Sequence, residues 1–317
     1  MFSRMKKLSR GINRKFILTA LVFASPFLFL SLITTSCGRW NSNPTGPTAG
    51  LTLTATARIG SPTPTPTITP TPTITTTPTT TPTGTLTPVA ACANATTVNL
   101  SGAGNYVLLA KTGITDASNN CVITGNVGNS PGSGTQIGVD CPEVTGTIYE
   151  IAGNGYTGTN RGCGVLGTTL STDIGSMGTA YTTANGQAIC VENLGAGTLS
   201  GITMTRGVYN WTSNVDITTD IYLDALNDST AVWVFQIAGT LTMASSVKIH
   251  LNNGALAQNV FWTVGGSSAT LGTNAQFAGI LMAGPGCGIV LNTGASVNGR
   301  LLSQTDITLE SNTITQP

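Results

Sequence analysis

Short segments in the last hundred residues of the chain alternate apolar and polar positions, and these segments can be laid over one another. Counting from Ile217, Met243, Leu271, Leu291 and Leu309, the residues two places earlier are Val215, Leu241, Ala269, Ile289 and Ile307. Four places later come Ile221, Val247, Ala275, Ala295 and Thr313, and six places later Leu223, Ile249, Phe277, Val297 and Thr315. Alternate residues of a strand share a face, so these columns are expected to point inward. Leu241, Val247, Leu271, Phe277, Ile289, Val297 and Ile307 are then expected to stack in one core. The five starting residues lie 26, 28, 20 and 18 residues apart. A repeat of about 20 residues around a strand predicts a β-solenoid, with loop insertions in the longer intervals.

A β-sandwich is the competing architecture, because regular strands and turns suit it too. It does not predict a recurring column two places after each starting residue, which reads Thr219, Ser245, Thr273, Thr293 and Ser311. Parity puts that column inward or at a corner, where stacked hydroxyls could bond one another and the backbone. Helical signals are scarce. The best is Ser171 to Gln187, with Ile174, Met177 and Tyr181 on one stripe, a cap at Ser171 or Thr172, and Gly175 and Gly178 weakening it. Elsewhere β-branched runs broken by Gly, Asn and Ser predict an all-β domain.

The outward columns carry small residues. One place before each starting residue stand Asp216, Thr242, Thr270, Val290 and Thr308; three before stand Asn214, Thr240, Ser268, Gly288 and Asp306; one after stand Thr218, Ala244, Gly272, Asn292 and Glu310. Threonine is stiff and carries a methyl and a hydroxyl together. Coils about 4.7–4.9 Å apart come close to repeat spacings on ice. A flat lattice of this kind can order water in an ice-like layer, although threonine also simply favours strands.

Composition narrows the alternatives. Of 317 residues only 8% are charged, one is histidine and 39 are glycine, which argues against a typical enzyme. From Val89 onward five basic residues face twelve acidic ones, a balance of −7, so polyanions are repelled and no nucleic-acid partner is expected. Residues 1–37 read as an export signal, a basic region followed by the apolar core "FILTALVFASPFLFLSLI". The following "TTSC" resembles a lipoprotein site with Cys37 lipidated; ordinary cleavage nearby and an uncleaved anchor are the alternatives. Each places the rest of the chain outside the cytoplasm, at the cell envelope or outer surface or secreted. Residues 38–88 form a stalk. Its core, Ser61 to Pro88, holds 15 threonines, eight prolines and no charge. Its 28 residues would reach about 80 Å in the polyproline form, with O-glycosylation an option. Residues 89–317 are the folded domain.

Six cysteines, Cys92, Cys121, Cys141, Cys163, Cys190 and Cys287, remain beyond Cys37. An even number in an exported chain predicts disulfides, with Cys141–Cys163 the favoured pair; the absence of a CxxC pair argues against a metal. Asp216, Asp220, Asp224 and Asp228 are spaced by four. Calcium is conceivable there, but the run crosses a turn around "DALNDS", and solvated turn acids are the favoured reading. His250 lacks a matched nucleophile and reads as a surface or coil-edge residue. "GNVGNSPGSG" lacks the lysine and helix of a phosphate loop. No catalytic residue, metal or cofactor is expected.

Several blocks resemble the microbial ice-binding proteins with an irregular β-solenoid fold. They are "YVLLAKTGITDASNNCVITGNVGNSPGSGTQIG", "VTGTIYEI", "DIGSMGTAYTTANGQ", the long run from "GVYNWTSNVDITTDIYLDALNDST" through "AQFAGILMA", and "LNTGASVNGRLLSQTDITLESNTITQP". The resemblance implies a right-handed three-sided β-helix. Its N-terminal segment would stack out of sequence order on the last coils, with one α-helix along a side. It implies that a flat strand face binds ice. The first choice of site is Thr242, Thr270 and Thr308, flanked by Thr218, Thr240 and Ser268. The alternative is a corner with Thr273, Asn274, Thr293 and Ser296. "TGAS" at Thr293–Ser296 comes near the Thr-Gly/Ala-x-Thr/Asn pattern of some members, while "TNAQ" at Thr273–Gln276 departs further, and Asp306 and Glu310 interrupt flatness. The expected partner is the ice surface, met by a monomer that touches the membrane only through its N-terminal anchor. A surface adhesin or display domain with another ligand is the competing function.

Overall fold

A computed structural model describes residues 95–132, 136–151 and 163–317. The export signal, Cys37, the stalk, their boundaries and Cys92 lie outside the described residues.

The strands wind into a right-handed three-sided β-helix, and every strand pairing is parallel. One sheet contains Gly207–Trp211, Trp233–Ile237 and Val260–Val264, and a helix covers its outside. A second, seven-stranded sheet orders Gly113–Asp116, Asp306–Leu309, Gly288–Leu291, Ser268–Leu271, Leu241–Met243, Val215–Ile217 and Thr198–Leu199. The third side begins with Thr203–Thr205, Ile221–Asp224 and Ile249–Asn252 and continues through the first halves of Gln276–Ala283 and Ser296–Ser303. Those two long strands turn from the third side to the helix side without a break. Gly279 has φ +120°, and a Cβ on its in-register neighbour Gly299 would run into the Gly279 carbonyl oxygen.

The first described strands complete the stack with the last ones. Tyr106–Ala110 pairs with Ser296–Ser303, Gly113–Asp116 with Asp306–Leu309, and Val122–Thr124 with the terminal strand Thr313–Thr315. The N-terminal strands thus stack on the last coils out of sequence order.

The predicted core residues Leu241, Val247, Leu271, Phe277, Ile289, Val297 and Ile307 all lie in one buried cluster. An aromatic run crosses it, with ring centroids 5.4 Å apart for Tyr209–Phe235, 3.8 Å for Phe235–Trp262 and 5.5 Å for Trp262–Phe277. Two details of the repeat are corrected. Ile221 pairs with Ile249, not with Val247, because the first corner is two residues shorter; a shift of two keeps parity, so both still face inward. In the last coil Ile314 pairs with Val297, which leaves Thr313 and Thr315 exposed where inward positions were expected. That corner is one residue shorter. Buried Asn312 fills it and donates to the carbonyls of Asn292 at 2.9 Å and Ala295 at 3.1 Å. The column Thr219, Ser245, Thr273 and Thr293 is exposed at the corner, not inward. A hydroxyl pair does form across coils there, Ser200 to Thr219 at 3.0 Å.

The helix spans Leu170–Asn185, starting one residue before the expected Ser171 and capped at Thr169 rather than Ser171 or Thr172. Its buried stripe is Leu170, Asp173, Met177, Ala180 and Ala184, with Ile174 and Tyr181 at the margin. Apolar spacing found Met177 but not the rest of this stripe, because Asp173, Ala180 and Ala184 are small or polar. It packs on Val208, Val234, Phe261, Ile280, Met282 and Leu302. Asp173 accepts hydrogen bonds from the hydroxyls of Tyr106 and Thr169, both at 2.8 Å. At the other end Gln236 donates to the carbonyls of Ala184 and Gln187, both at 3.0 Å, and so satisfies groups that a helix end leaves unpaired. Gly175 faces solvent, and nothing lies within 4 Å of a Cβ added there. Gly175→Ala is therefore expected to stabilise the domain by about 0.5–1 kcal/mol, measurable by denaturant unfolding.

Cys141 and Cys163 form a disulfide, with Cα atoms 5.9 Å apart, and Cys190 is also disulfide-bonded. Cys121 and Cys287 are free and buried, which corrects the expectation that all six cysteines pair. Both lie within the buried core cluster.

Candidate functional site

Among the described residues no helix covers the seven-stranded sheet, and its outward row can be built strand by strand. Backbone register sets Asp216 beside Thr242, Thr242 beside Thr270, Thr270 beside Val290 and Val290 beside Thr308. This is the predicted column, in the predicted order. The inward neighbours that fix it, Ile217, Met243, Leu271, Ile289 and Ile307, are buried, so a one-residue slip would expose them. Two threonines extend the row beyond what the repeat revealed, Thr198 beside Asp216 and Thr115 beside Thr308. Thr198 had a signal, since Leu199 precedes Ile217 by the 18 residues that separate Leu291 from Leu309. Thr115 had none, because its strand joins out of sequence order.

Steps along the row are about 4.7–4.9 Å, and alternate residues along each strand about 6.6 Å apart. Its side chains are short and mostly β-branched, so little freedom is lost when they meet a rigid partner. In the adjacent row Ser268 pairs with Gly288. The Asp306 carboxylate lies against Gly288, 3.0 Å from where a Cβ would stand. Thr240 sits just before its strand, its N–H donating to the Asn214 side chain at 3.0 Å. Thr218 lies past a strand end at the corner, so it flanks the flat row rather than belonging to it.

The alternative residues do not form one sheet patch. Thr273, Asn274 and Thr293 occupy turns between the open sheet and the third side, and Asn274 has φ 57°. Ser296 lies on the third side, between Gln276 and Thr313. That side carries longer groups. Tyr222 stacks on His250 with centroids 4.7 Å apart, and Lys248 and Gln276 are exposed.

The four spaced aspartates spread around one coil. Asp216 is on the open sheet. Asp220 accepts a hydrogen bond from the Lys248 N–H at 2.9 Å and meets the His250 ring at 2.8 Å, and the histidine contact holds its carboxyl below the usual range. Asp224 accepts from Leu226 N–H and the Asn253 amide. Asp228 pairs with Arg206 and accepts from Thr230, whose hydrogen bonds keep its carboxyl low. Asp220, Asp224 and Asp228 thus each have their own partners, and among the described residues the four carboxylates do not converge on one point.

A family model described as Ice-binding-like matches residues 108–315. An ice-binding protein of Flavobacterium frigoris is 44% identical over 69% of this chain and 76% of its own length. One from Colwellia is 41% identical over 71% and 86%. Among solved structures, an ice-binding protein from an Arctic yeast with antifreeze activity superposes with TM-score 0.62 at 35% identity, covering 70% of this chain and 94% of its own. One from the Antarctic ascomycete Antarctomyces psychrotrophicus gives 0.60 at 35%, covering 70% and 100%. With its parallel three-sided winding, its side helix and this match over most of the domain, the chain belongs to the ice-binding-like family.

Proposed function

We propose that the domain binds ice, without catalysis, through the open sheet. The row Thr198, Asp216, Thr242, Thr270, Val290, Thr308 and Thr115 forms its centre, flanked by Thr218, Thr240 and Ser268. The observation that carries this reading is the register: short stiff side chains stand on adjacent strands of a sheet that no other described element covers. A lattice so fixed meets ordered water with little entropic cost. Val290 and the threonine methyls supply apolar surface, and the threonine hydroxyls supply hydrogen bonds. The third side is a poorer candidate because long side chains on it would have to be immobilised.

The functional reading extends to placement. The N-terminal signal and the Thr/Pro run support an exported domain held away from the envelope, through a lipid on Cys37 or another anchor, or released. Bound ice crystals would stop growing or recrystallising at the covered surface, or the cell would be attached to ice. Ice-affinity partition of Val89–Pro317 tests the core of the proposal. The domain is expected to be enriched in the frozen fraction over a control protein of similar size. Exclusion to the liquid equal to that control would reject it in favour of a display or adhesin domain.

A further inference from the structure

Along the open sheet the inward position of successive coils is apolar: Leu199, Ile217, Met243, Leu271, Leu291 and Leu309, all buried. The seventh strand breaks the column, because the residue paired with Leu309 is Asp116. Asp116 is 9% exposed. Its Oδ1 accepts the backbone N–H and the hydroxyl of Ser118, both at 2.9 Å. Its buried Oδ2 meets no backbone N–H or hydroxyl donor and faces the Cys121 thiol and the Glu143 carboxyl. A carboxylate in an apolar column is costly unless something compensates it.

Two more groups converge on it. Cys121 is buried, belongs to no disulfide, and its sulfur accepts the Asn312 N–H at 3.3 Å. Glu143 closes the 3-10 turn Cys141–Glu143, and its two oxygens accept the N–H groups of Cys121 at 2.6 Å and Asp140 at 2.5 Å. One donor atom from each of Asp116, Cys121 and Glu143 lies within 4.8 Å of the other two. Among the described residues neither carboxylate has an ion pair.

We propose that Asp116, Cys121 and Glu143 are the ligands of one divalent cation of the zinc type, at the end of the solenoid where the N-terminal strands stack. The donor set selects the class. A thiolate disfavours calcium and magnesium, which take all-oxygen shells, while one sulfur with two carboxylate oxygens suits a borderline ion such as Zn²⁺ or Co²⁺. Zinc bonds of about 2.3 Å to sulfur and about 2.0–2.2 Å to oxygen need donors roughly 3–4 Å apart, a small closure from the spacing seen. Water would take the fourth position. The cation replaces the protons held between Asp116, the Cys121 thiol and the Glu143 carboxyl, and ties together the strand Gly113–Asp116, the start of the strand Val122–Thr124 and the turn Cys141–Glu143. It goes beyond the ice-binding reading, since none of the three ligands is on the open face.

Cobalt titration of the full chain tests it, with disulfides intact and after chelator treatment and gel filtration. The chain is expected to take up one Co²⁺ with a sulfur-to-cobalt charge-transfer absorption that Zn²⁺ displaces. Cys121→Ser should lose the absorption. Cys287→Ser, which removes the other buried free thiol, should keep it. Asp116→Asn keeps an oxygen for Ser118 and should weaken cobalt binding at least about tenfold, and it decides the matter if Cys121→Ser does not fold. No cobalt uptake, an absorption that survives Cys121→Ser or is lost in Cys287→Ser, or native affinity in Asp116→Asn would each overturn the site.

Discussion

Thr270→Tyr is expected to abolish ice retention while shifting stability by no more than about 0.5 kcal/mol, the usual range for a surface change. Thr270 stands mid-row between Thr242 and Val290, with its side chain pointing away from the core. Tyrosine suits a strand, so the sheet keeps its geometry. Its ring, however, rises above neighbours that are no longer than valine or threonine, and a flat solid cannot close over it. The loss should therefore be near complete rather than graded. Thr273→Tyr is the matched control. Parity left open an inward Thr273, at which tyrosine would overpack the core. The structure places Thr273 exposed at the corner, so this variant is now expected to fold. Ice partition and thermal unfolding of both variants check the assignment. Normal retention by Thr270→Tyr together with loss in a folded Thr273→Tyr would move the site to the corner.

Phe277→Ala should cost roughly 3–5 kcal/mol, the range for removing a buried ring from a packed core. Phe277 is 2% exposed and ends the aromatic run through Trp262. Its in-register neighbour on the next coil is Val297, whose short side chain cannot reach into the space left behind. Coils of a solenoid support only their neighbours, so a weak step should also lower cooperativity. Urea unfolding followed by both tryptophan fluorescence and circular dichroism would show a lower midpoint. A cost below about 1 kcal/mol would mean that the site collapses or that the ring is not buried.

The winding was legible because its cause is local. Burial demands an apolar residue at every second position, and each coil must repeat the demand, so the columns from Val215 to Val297 are visible in the chain itself. The outward threonines follow from the same parity, which is why the chain pattern alone sets Thr242, Thr270 and Thr308 on one face. Corners were less legible. Their lengths vary by one or two residues without changing the strands, so the Ile221 pairing and the last-coil positions of Thr313 and Thr315 were misaligned. The helix was found with only Met177 of its buried stripe, since Ala180, Ala184 and Asp173 carry little hydrophobic signal.

Strand parity and coil repetition act between near neighbours, so the period, the inward columns and a row of small hydroxyl side chains are written in the chain. What happens where the first described strands meet the last coil is written in the fold instead. Thr115 joins the row beside Thr308, and Asp116 enters the leucine column beside Leu309, because Gly113–Asp116 stacks nearly two hundred residues out of order. The same stacking gathers Asp116, Cys121 and Glu143 into one buried cluster. No spacing in the chain announces such contacts; they follow from stacking the first described strands on the final coil, whose backbone edge they pair.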